Sequence, residues 1–290
     1  MARFRALGSP CEVLVDSSHE QQAQAVASAV AACALRLEHK FSRYLPDNIV
    51  ARINGAAGQS VDVDEETARL LDFAELVWRM SDGKFDITSG VLRRAWRFDG
   101  GTKVPDADQV RALLPLVGWS RVRWEKPLLT LLPGMEIDFG GIGKEYAVDQ
   151  ALTAAAQVTS NPVLVNFGGD LAVTGPRRDG RPWRVGIEGI AAATGTAIDT
   201  PTETAGLIDL SAGALATSGD TYRFVNSASR RLPHILDPRS GEPVRGAPHS
   251  VTVAAPTCTQ AGVWCTLAML EGAGAEALLQ RESVRHWVQR

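Results

Sequence analysis

Hydrophobic residues recur at helical spacing in the long segments of this chain and alternate with polar residues in many short ones. After Ser17, apolar side chains lie about one helical turn apart as far as Lys40, and Ser17 with Glu20 forms the pattern of a capping box. A second helix is predicted after Asp64, a residue type that caps helices, and its end is predicted at Gly83. The chain therefore begins with two amphipathic helices.

Short apolar segments bounded by turn residues predict most of the remaining elements. We predict strands over residues 12–15, 121–124, 128–132, 163–167, 171–174, 183–187, 207–210, 215–217 and 249–254. Shorter helices are predicted over 105–114 and 259–270, and a polar loop over 42–54. Because the strands follow one another as hairpins and the helices occur in separate runs, the fold class is α+β rather than a doubly wound sheet. With no long linker, residues 1–290 form one domain.

Composition narrows the classes of protein. The 290 residues are 45% hydrophobic and carry a net charge of −3 with both signs interspersed. This excludes a basic surface for nucleic acid or membrane. The four cysteines form no Cys-x-x-Cys pair, so we expect reduced thiols. No apolar run follows the basic N-terminal residues or is long enough to span a membrane, so we expect a cytoplasmic protein without a signal peptide.

The glycine-rich segment 138–149 is the strongest candidate for chemistry. Residues 135–139 alternate like a strand, the glycines follow, and Lys144 begins a predicted helix. Glycines before a helix let the backbone approach a ligand, and the helix start presents unpaired N–H groups to an anion. The segment is not a P-loop, whose glycine and hydroxyl positions hold Asp138 and Glu145, and Tyr146 breaks the dinucleotide fingerprint. Either a phosphate site or an ordinary glycine turn fits this pattern.

Three later motifs are each compatible with a turn or with a ligand site. They are His234 to Gly241, the segment 163–170 that ends in Gly-Gly-Asp, and the segment 217–220. The first places His234 beside Asp237 in a turn sequence, where the imidazole is able to bind or protonate a phosphate. Ser218 does not lie in a Gly-x-Ser-x-Gly motif, which argues against a serine hydrolase.

Taken in order, these motifs resemble the ApbE-like family of FAD:protein FMN transferases. The resemblance extends from about Phe4 to Gly272. Its pieces are the segments 4–11, 41–44 with Asn54, 82–88, 138–149, 165–170, 217–220, 234–241 and 250–257. Each piece is modest by itself, but eight in this order are specific.

The resemblance implies two intimately associated subdomains with mainly antiparallel sheets and a flavin-nucleotide cleft between them. It implies that FAD is the substrate and that Mg²⁺ lies on the pyrophosphate. FMN would pass to a Thr or Ser hydroxyl of an acceptor flavoprotein, and AMP would leave. Two alternatives remain, an FAD-binding protein or carrier that has lost transfer and an FAD pyrophosphatase.

The resemblance also implies roles for individual residues. Those expected to bind the flavin nucleotide are Leu7, Tyr44, Lys84, Phe85, Asp86, Asp138, Lys144, His234 and Ile235. Tyr44 suits stacking on adenine, and Lys144 suits the pyrophosphate or ribose. The candidates for proton transfer are His234, Asp138 and Asp237, and the metal ligands would be the Gly141 carbonyl and the Thr266 hydroxyl.

One departure from the family pattern concerns the metal: Gly262 stands where the family usually has an Asp ligand. Two further departures are milder. Leu7 replaces the usual Met, an apolar change, and Gly143-Lys144-Glu145 replaces the commoner Ala-Lys-Gly at the entry of the predicted helix. Losing an anionic ligand weakens a Mg²⁺ site, so we expect weak or unusual metal dependence, with water, Gln260 or Thr259 as substitutes.

Overall fold

A computed structural model describes residues 1–189, 204–220, 224–227 and 230–290. Its strands are β1 (Ala2–Ala6), β2 (Ser9–Val15), β3 (Val61–Asp62), β4 (Arg123–Glu125), β5 (Leu128–Thr130), β6 (Val163–Phe167), β7 (Asp170–Val173), β8 (Trp183–Glu188), β9 (Thr204–Leu210), β10 (Gly213–Gly219), β11 (Phe224–Ser227), β12 (Arg230–Pro233), β13 (Ser250–Ala255) and β14 (Arg285–Gln289). Its α-helices are α1 (Glu20–Phe41), α2 (Ile49–Gly55), α3 (Glu65–Met80), α4 (Ala107–Leu113), α5 (Gly143–Val158), α6 (Cys258–Glu271) and α7 (Ala275–Arg281).

The centre of the fold is a seven-stranded sheet in the order β1-β2-β6-β7-β10-β13-β14, in which every neighbouring pair is antiparallel. Three smaller antiparallel groups accompany it: β3-β5-β4, β8-β9 and β11-β12. Helices and hairpins occupy separate parts of the chain. The predicted α+β class with mainly antiparallel sheets is confirmed.

The two faces of the central sheet bury different residues because side chains alternate along a strand. Val163, Val165 and Phe167 of β6 point into the main core with α1, α5 and α6. Leu164 points to the other face, where the hairpin β8-β9 adds Trp183 and other apolar side chains. The sheet therefore lies between a helical layer and a hairpin, and it supports α5 and α6 from one side.

A third, smaller cluster lies around Trp96 and Val110. It joins a 3-10 helix, Ile87–Arg94, to α4 and to Leu232 and Leu236. This part of the molecule carries the His234 turn. In the described ranges, no helix is both long and apolar enough to cross a membrane.

Several predicted elements differ in the structure. The prediction of a capping box at Ser17 is wrong. Helix α1 begins at Glu20 after His19, which makes no side-chain cap. The Ser17 hydroxyl accepts the His19 N–H at 3.0 Å instead. The predicted loop over 42–54 is also wrong in its second half, because helix α2 begins at Ile49. Asn48 caps this helix by accepting the Ala51 N–H. Asp64 caps α3 as predicted.

The segment 135–139 is not a strand. Met135, Ile137 and Phe139 are buried as their alternation indicates, but the segment lies outside the strands of the fold. Its polar groups bond to residues from other parts of the chain. The Asp138 N–H donates to the Ile87 carbonyl at 2.9 Å, and the Asn54 side chain accepts the Ile137 N–H and donates to the Ile137 carbonyl. Alternation reports which side chains are buried, whereas strand pairing requires a neighbouring edge.

Candidate active site

The glycine turn ends where α5 begins. The Phe139 carbonyl accepts the N–H groups of Ile142 and Gly143 at 2.9 and 2.7 Å, and the regular helical ladder then starts with Tyr146 N–H donating to Ile142 at 3.0 Å. The Gly141 carbonyl lies just before this ladder. The first turn of α5 thus has the open backbone groups that an anion or a cation can use.

Lys144, in the first turn of α5, is held by a buried acid. Its Nζ lies 2.8 Å from Oδ2 of Asp170, whose side chain is 1% exposed. The other Asp170 oxygen accepts the Thr217 N–H at 3.0 Å, so the carboxylate is fixed between β7 and β10. Burial opposes the charge on Lys144, but Asp170 and Glu145 outweigh it and raise the pKa of the lysine. The ammonium group is a permanent positive charge beside the turn.

The β1-β2 turn reaches the same place. A Cβ on Gly168 would lie 2.7 Å from the Ser9 Cβ and 3.7 Å from Lys144 Nζ, so the glycine lets this turn approach the lysine. Leu7 and Gly8 both have positive φ, 55° and 68°, as a two-residue turn between paired Ala6 and Ser9 requires. The role of Leu7 at the flavin stays a prediction.

Asp138 is paired with a residue that the motif analysis did not single out. Arg43 Nη1 lies 2.5 Å from Asp138 Oδ2, and the Gly140 N–H donates to Oδ1 at 3.0 Å. Arg43 also lies 4.9 Å from the centre of the Tyr44 ring, and this ring is 74% exposed. Tyr44 and Asp138, far apart in the chain, are thus linked through one guanidinium.

The segment 84–86 packs against the glycine turn. A Cβ on Gly141 would lie 3.0 Å from the Phe85 ring, so only glycine leaves that ring its place. Asp86 is buried and accepts from the Thr88 hydroxyl at 2.6 Å and the Trp119 N–H at 2.7 Å, and burial raises the pKa of this acid. These bonds tie Asp86 to the start of the 3-10 helix and to Trp119. Lys84 forms an ion pair with Glu271 at the end of α6.

The His234 turn is tied to this segment. Asp237 stabilises the turn by accepting the Arg239 N–H at 2.9 Å, and Arg239 Nη2 lies 2.9 Å from Asp82 Oδ2, two residues before Lys84. The His234 ring meets Phe98 edge to face at 6.3 Å, and Ile235 is half-buried at the edge of the main core. A cavity of about 610 Å³ lies beside the Arg239–Asp82 contact and is lined by Pro238, Arg239, Gly83 and Asp86 among others.

Helices α5 and α6 run antiparallel with a fixed register. Asp149 accepts the N–H groups of Cys258 and Thr259 at 2.8 and 2.9 Å, and the Thr259 hydroxyl at 2.6 Å. One turn away, a Cβ on Gly262 would lie 2.4 Å from Glu145 Cγ. Thr266 lies one further turn along α6, and Gly141 precedes α5 by two residues on the side toward which this contact runs.

The Glu145 side chain occupies the space beside Gly262. It is 7% exposed, and among the described residues its Oε2 has no hydrogen-bond partner. Burial, and then the negative charge of Asp170, raise its pKa to about 8. Of the substitutes expected for the missing Asp, Thr259 is committed to Asp149 and Gln260 is exposed, so neither reaches this space.

The residues present fit a hard divalent cation. A carbonyl oxygen, a hydroxyl and a buried carboxylate without a partner are the oxygen donors that Mg²⁺ binds. Within the described ranges, no group of three or more His, Cys, Asp or Glu side chains is arranged to hold a metal.

Comparison with known proteins identifies the family of the chain. The model of the ApbE family matches residues 7–287. The chain belongs to the ApbE family. An ApbE-family relative from Klebsiella pneumoniae (strain 342), named FAD:protein FMN transferase, is 31% identical over 287 residues, covering 96% of this chain and 85% of the relative. An Escherichia coli (strain K12) protein of the same name is 28% identical over 84% of this chain and 70% of its own length.

Two solved ApbE structures have the same fold. The Thermotoga maritima ApbE protein superposes with a TM-score of 0.88 at 29% identity, covering 99% of this chain and 93% of that one. The Pseudomonas stutzeri flavinyl transferase ApbE, in its apo form, gives 0.82 at 25% identity, with 99% and 89% covered. The family and fold expected from the sequence are confirmed, while the roles of individual ApbE site residues stay predictions.

Motif analysis missed three partners of the site: Arg43, Asp170 as the anchor of Lys144, and Glu145 as the neighbour of Gly262. Arg43 and Asp170 lie inside the motifs of the family, but a sequence does not show which side chains they contact. For Glu145 the signal was that it replaces a glycine in the same chain in which Gly262 replaces an acid.

Proposed function

We propose that this chain transfers FMN from FAD to a Thr or Ser hydroxyl of an acceptor flavoprotein and releases AMP. The observation that carries the proposal is Lys144, held at the open first turn of α5 by buried Asp170, in a chain of the ApbE family. Support comes from relatives named FAD:protein FMN transferase that match most of its length.

In this reaction the acceptor oxygen forms a bond to the FMN phosphorus, and the bond from that phosphorus to the bridging oxygen of AMP breaks. The hydroxyl proton passes to a base, and His234, Asp138 and Asp237 are the candidates. Lys144 offsets negative charge that develops on the pyrophosphate. Such electrostatic stabilisation is largest where the charged group is held in place before the reaction begins. Tyr44 stacks on adenine through its exposed ring.

Mg²⁺, when bound, would neutralise phosphate charge and orient the pyrophosphate. Gly141 and Thr266 would hold it by their carbonyl and hydroxyl oxygens. The flavin end of FAD would lie between Leu7, Phe85 and the His234–Ile235 turn, in a cleft between the sheet and the part of the molecule built around Trp96.

The test is to incubate the protein with FAD, Mg²⁺ and a flavin-binding acceptor domain and to measure the acceptor mass. A gain of one FMN on a single Thr or Ser, lost when that residue is replaced by Val or Ala, is the expected result. Free FMN and AMP without an adduct would identify a pyrophosphatase. Retained FAD with neither product would identify a carrier.

A further inference from the structure

A close contact between α5 and α6 brings together two of the positions at which the chain departs from the ApbE pattern. An ideal Cβ on Gly262 would lie 2.4 Å from Cγ, 2.9 Å from Cδ and 2.9 Å from Oε1 of Glu145. Real Cβ atoms do not come this close to other atoms, so no side chain at position 262 fits while Glu145 keeps this position. The glutamate fills the volume that a residue at 262 would use.

We propose that Glu145 supplies the anionic ligand of the divalent-cation site, from α5, in place of a side chain at position 262 on α6. The cation is the one that the proposed function uses, and the inference rests on that function. In this arrangement the carboxylate comes from α5 instead of from the facing helix α6, and it occupies the space beside position 262. The site is therefore a rearranged cation site and retains its one acid.

Burial without a partner distinguishes a ligand from a residue that only fills space. Glu145 is 7% exposed and its Oε2 accepts no hydrogen bond within the described part of the chain. An acid buried in this way is unfavourable whether it is charged and unpaired or, as its raised pKa implies, holds a proton at neutral pH, and an apolar side chain of similar volume would fill the space without that cost. A bound divalent cation would stabilise the ionised form of Glu145 and remove this cost.

The register of the helices places the other expected donors toward the same end of this contact. Asp149 bonded to Cys258 and Glu145 against Gly262 mark two successive turns of one antiparallel contact. Thr266 lies one turn further along α6, and Gly141 lies in the turn just before α5. Glu145 and Thr266 come from the two helices and Gly141 from the turn, and the remaining coordination of a bound cation would fall to water and phosphate, as Mg²⁺ prefers.

The experiment measures Mn²⁺ binding to the full chain without FAD, by the electron paramagnetic resonance signal of free Mn²⁺. Glu145→Gln keeps the volume and removes the charge, and we expect Mn²⁺ to bind about tenfold or more weakly, since ligand charge sets the affinity of such sites. Glu20→Gln, an exposed substitution with the same change in charge at the start of α1, should leave binding unchanged. The exchanged pair Glu145→Gly/Gly262→Asp should restore binding to within about threefold of wild type.

Two results would overturn the proposal: Glu145→Gln binding Mn²⁺ as tightly as wild type, or no saturable binding by wild type. If Glu145→Gln fails to fold, the comparison of Glu145→Gly with the exchanged pair decides, because both lack the buried glutamate. The pair must then bind more tightly than the single variant. Mn²⁺ binding that depends on Glu145 in a protein that forms no FMN adduct would refute the proposed function and leave this assignment standing.

Discussion

Lys144 Nζ and Asp170 Oδ2 lie 2.8 Å apart, but the two charges are buried to different extents. The lysine side chain is 30% exposed and the aspartate 1%. The lysine therefore keeps some contact with water and the aspartate depends on the protein. Removing either partner tests this asymmetry.

Lys144→Met should destabilise the fold by about 3–5 kcal/mol, since it leaves a buried carboxylate without its cation. Asp170→Asn should cost only about 1–3 kcal/mol, because the amide oxygen can still accept the Thr217 N–H and the lysine can turn toward water. Urea unfolding of both variants measures the difference. Equal losses, or a larger loss for Asp170→Asn, would contradict the asymmetry.

Gly262→Ala should reverse the usual effect of replacing a helical glycine. Ala is normally favoured over Gly inside a helix by about 1 kcal/mol. Here the added Cβ meets Glu145 Cγ, and we expect a loss of about 1–3 kcal/mol from overpacking. In a Glu145→Ala background the same substitution should stabilise the protein. Thermal unfolding of the four proteins gives the coupling, and a stabilising Gly262→Ala in the wild-type background would count against the contact.

We predict that the ion pairs around Glu66, outside the candidate site, make the stability of the fold sensitive to acid. Arg36 bonds both of its oxygens at 2.7 and 2.9 Å, Lys40 adds a contact at 2.7 Å, and Tyr146 donates to it at 3.2 Å. Hydrogen bonding by Arg36, opposed by burial and assisted by Lys40, lowers the pKa of Glu66 from 4.5 to about 2. A lowered carboxyl pKa stabilises the fold above the unfolded value, and this contribution is lost as pH falls from 4.5 toward 2.

The measurement is the urea midpoint of wild type and Glu66→Gln across this pH range. The variant should be less stable at pH 7, and the difference should shrink below pH 4.5. Glu125→Gln, at a fully exposed ion pair, is the control. A difference that stays constant down to pH 2 would show that the charge of Glu66 does not matter.

Tyr44→Ala separates binding from stability. The ring is 74% exposed, so its loss should change the unfolding free energy by no more than about 0.5 kcal/mol. If the ring stacks on adenine, FAD affinity should fall by about 5- to 150-fold, the equivalent of about 1–3 kcal/mol. Titration with FAD measures this, and Tyr44→Phe should bind nearly as wild type. Unchanged affinity in Tyr44→Ala would remove the residue from the site.

Local patterns in the sequence were reliable where neighbouring residues decide the structure. Asp64 caps α3 because its side chain meets N–H groups two and three residues ahead. The same reasoning was wrong for Ser17, because its hydroxyl accepts the His19 N–H and α1 begins only at Glu20. The alternation over 135–139 gave the buried side chains correctly but not a strand, because pairing depends on residues far along the chain.

The sequence by itself determined the family and the α+β class, because those depend on the order and type of residues, and it supplied the residues proposed for the candidate site. It also showed that an acid is missing at Gly262. Only the tertiary structure decided what stands in that place. Asp149 of α5 bonds the start of α6 and so sets the register of the two helices. This register places Glu145 in the space beside the glycine. Such a contact joins residues of two helices that are distant in the chain, and no local pattern encodes it.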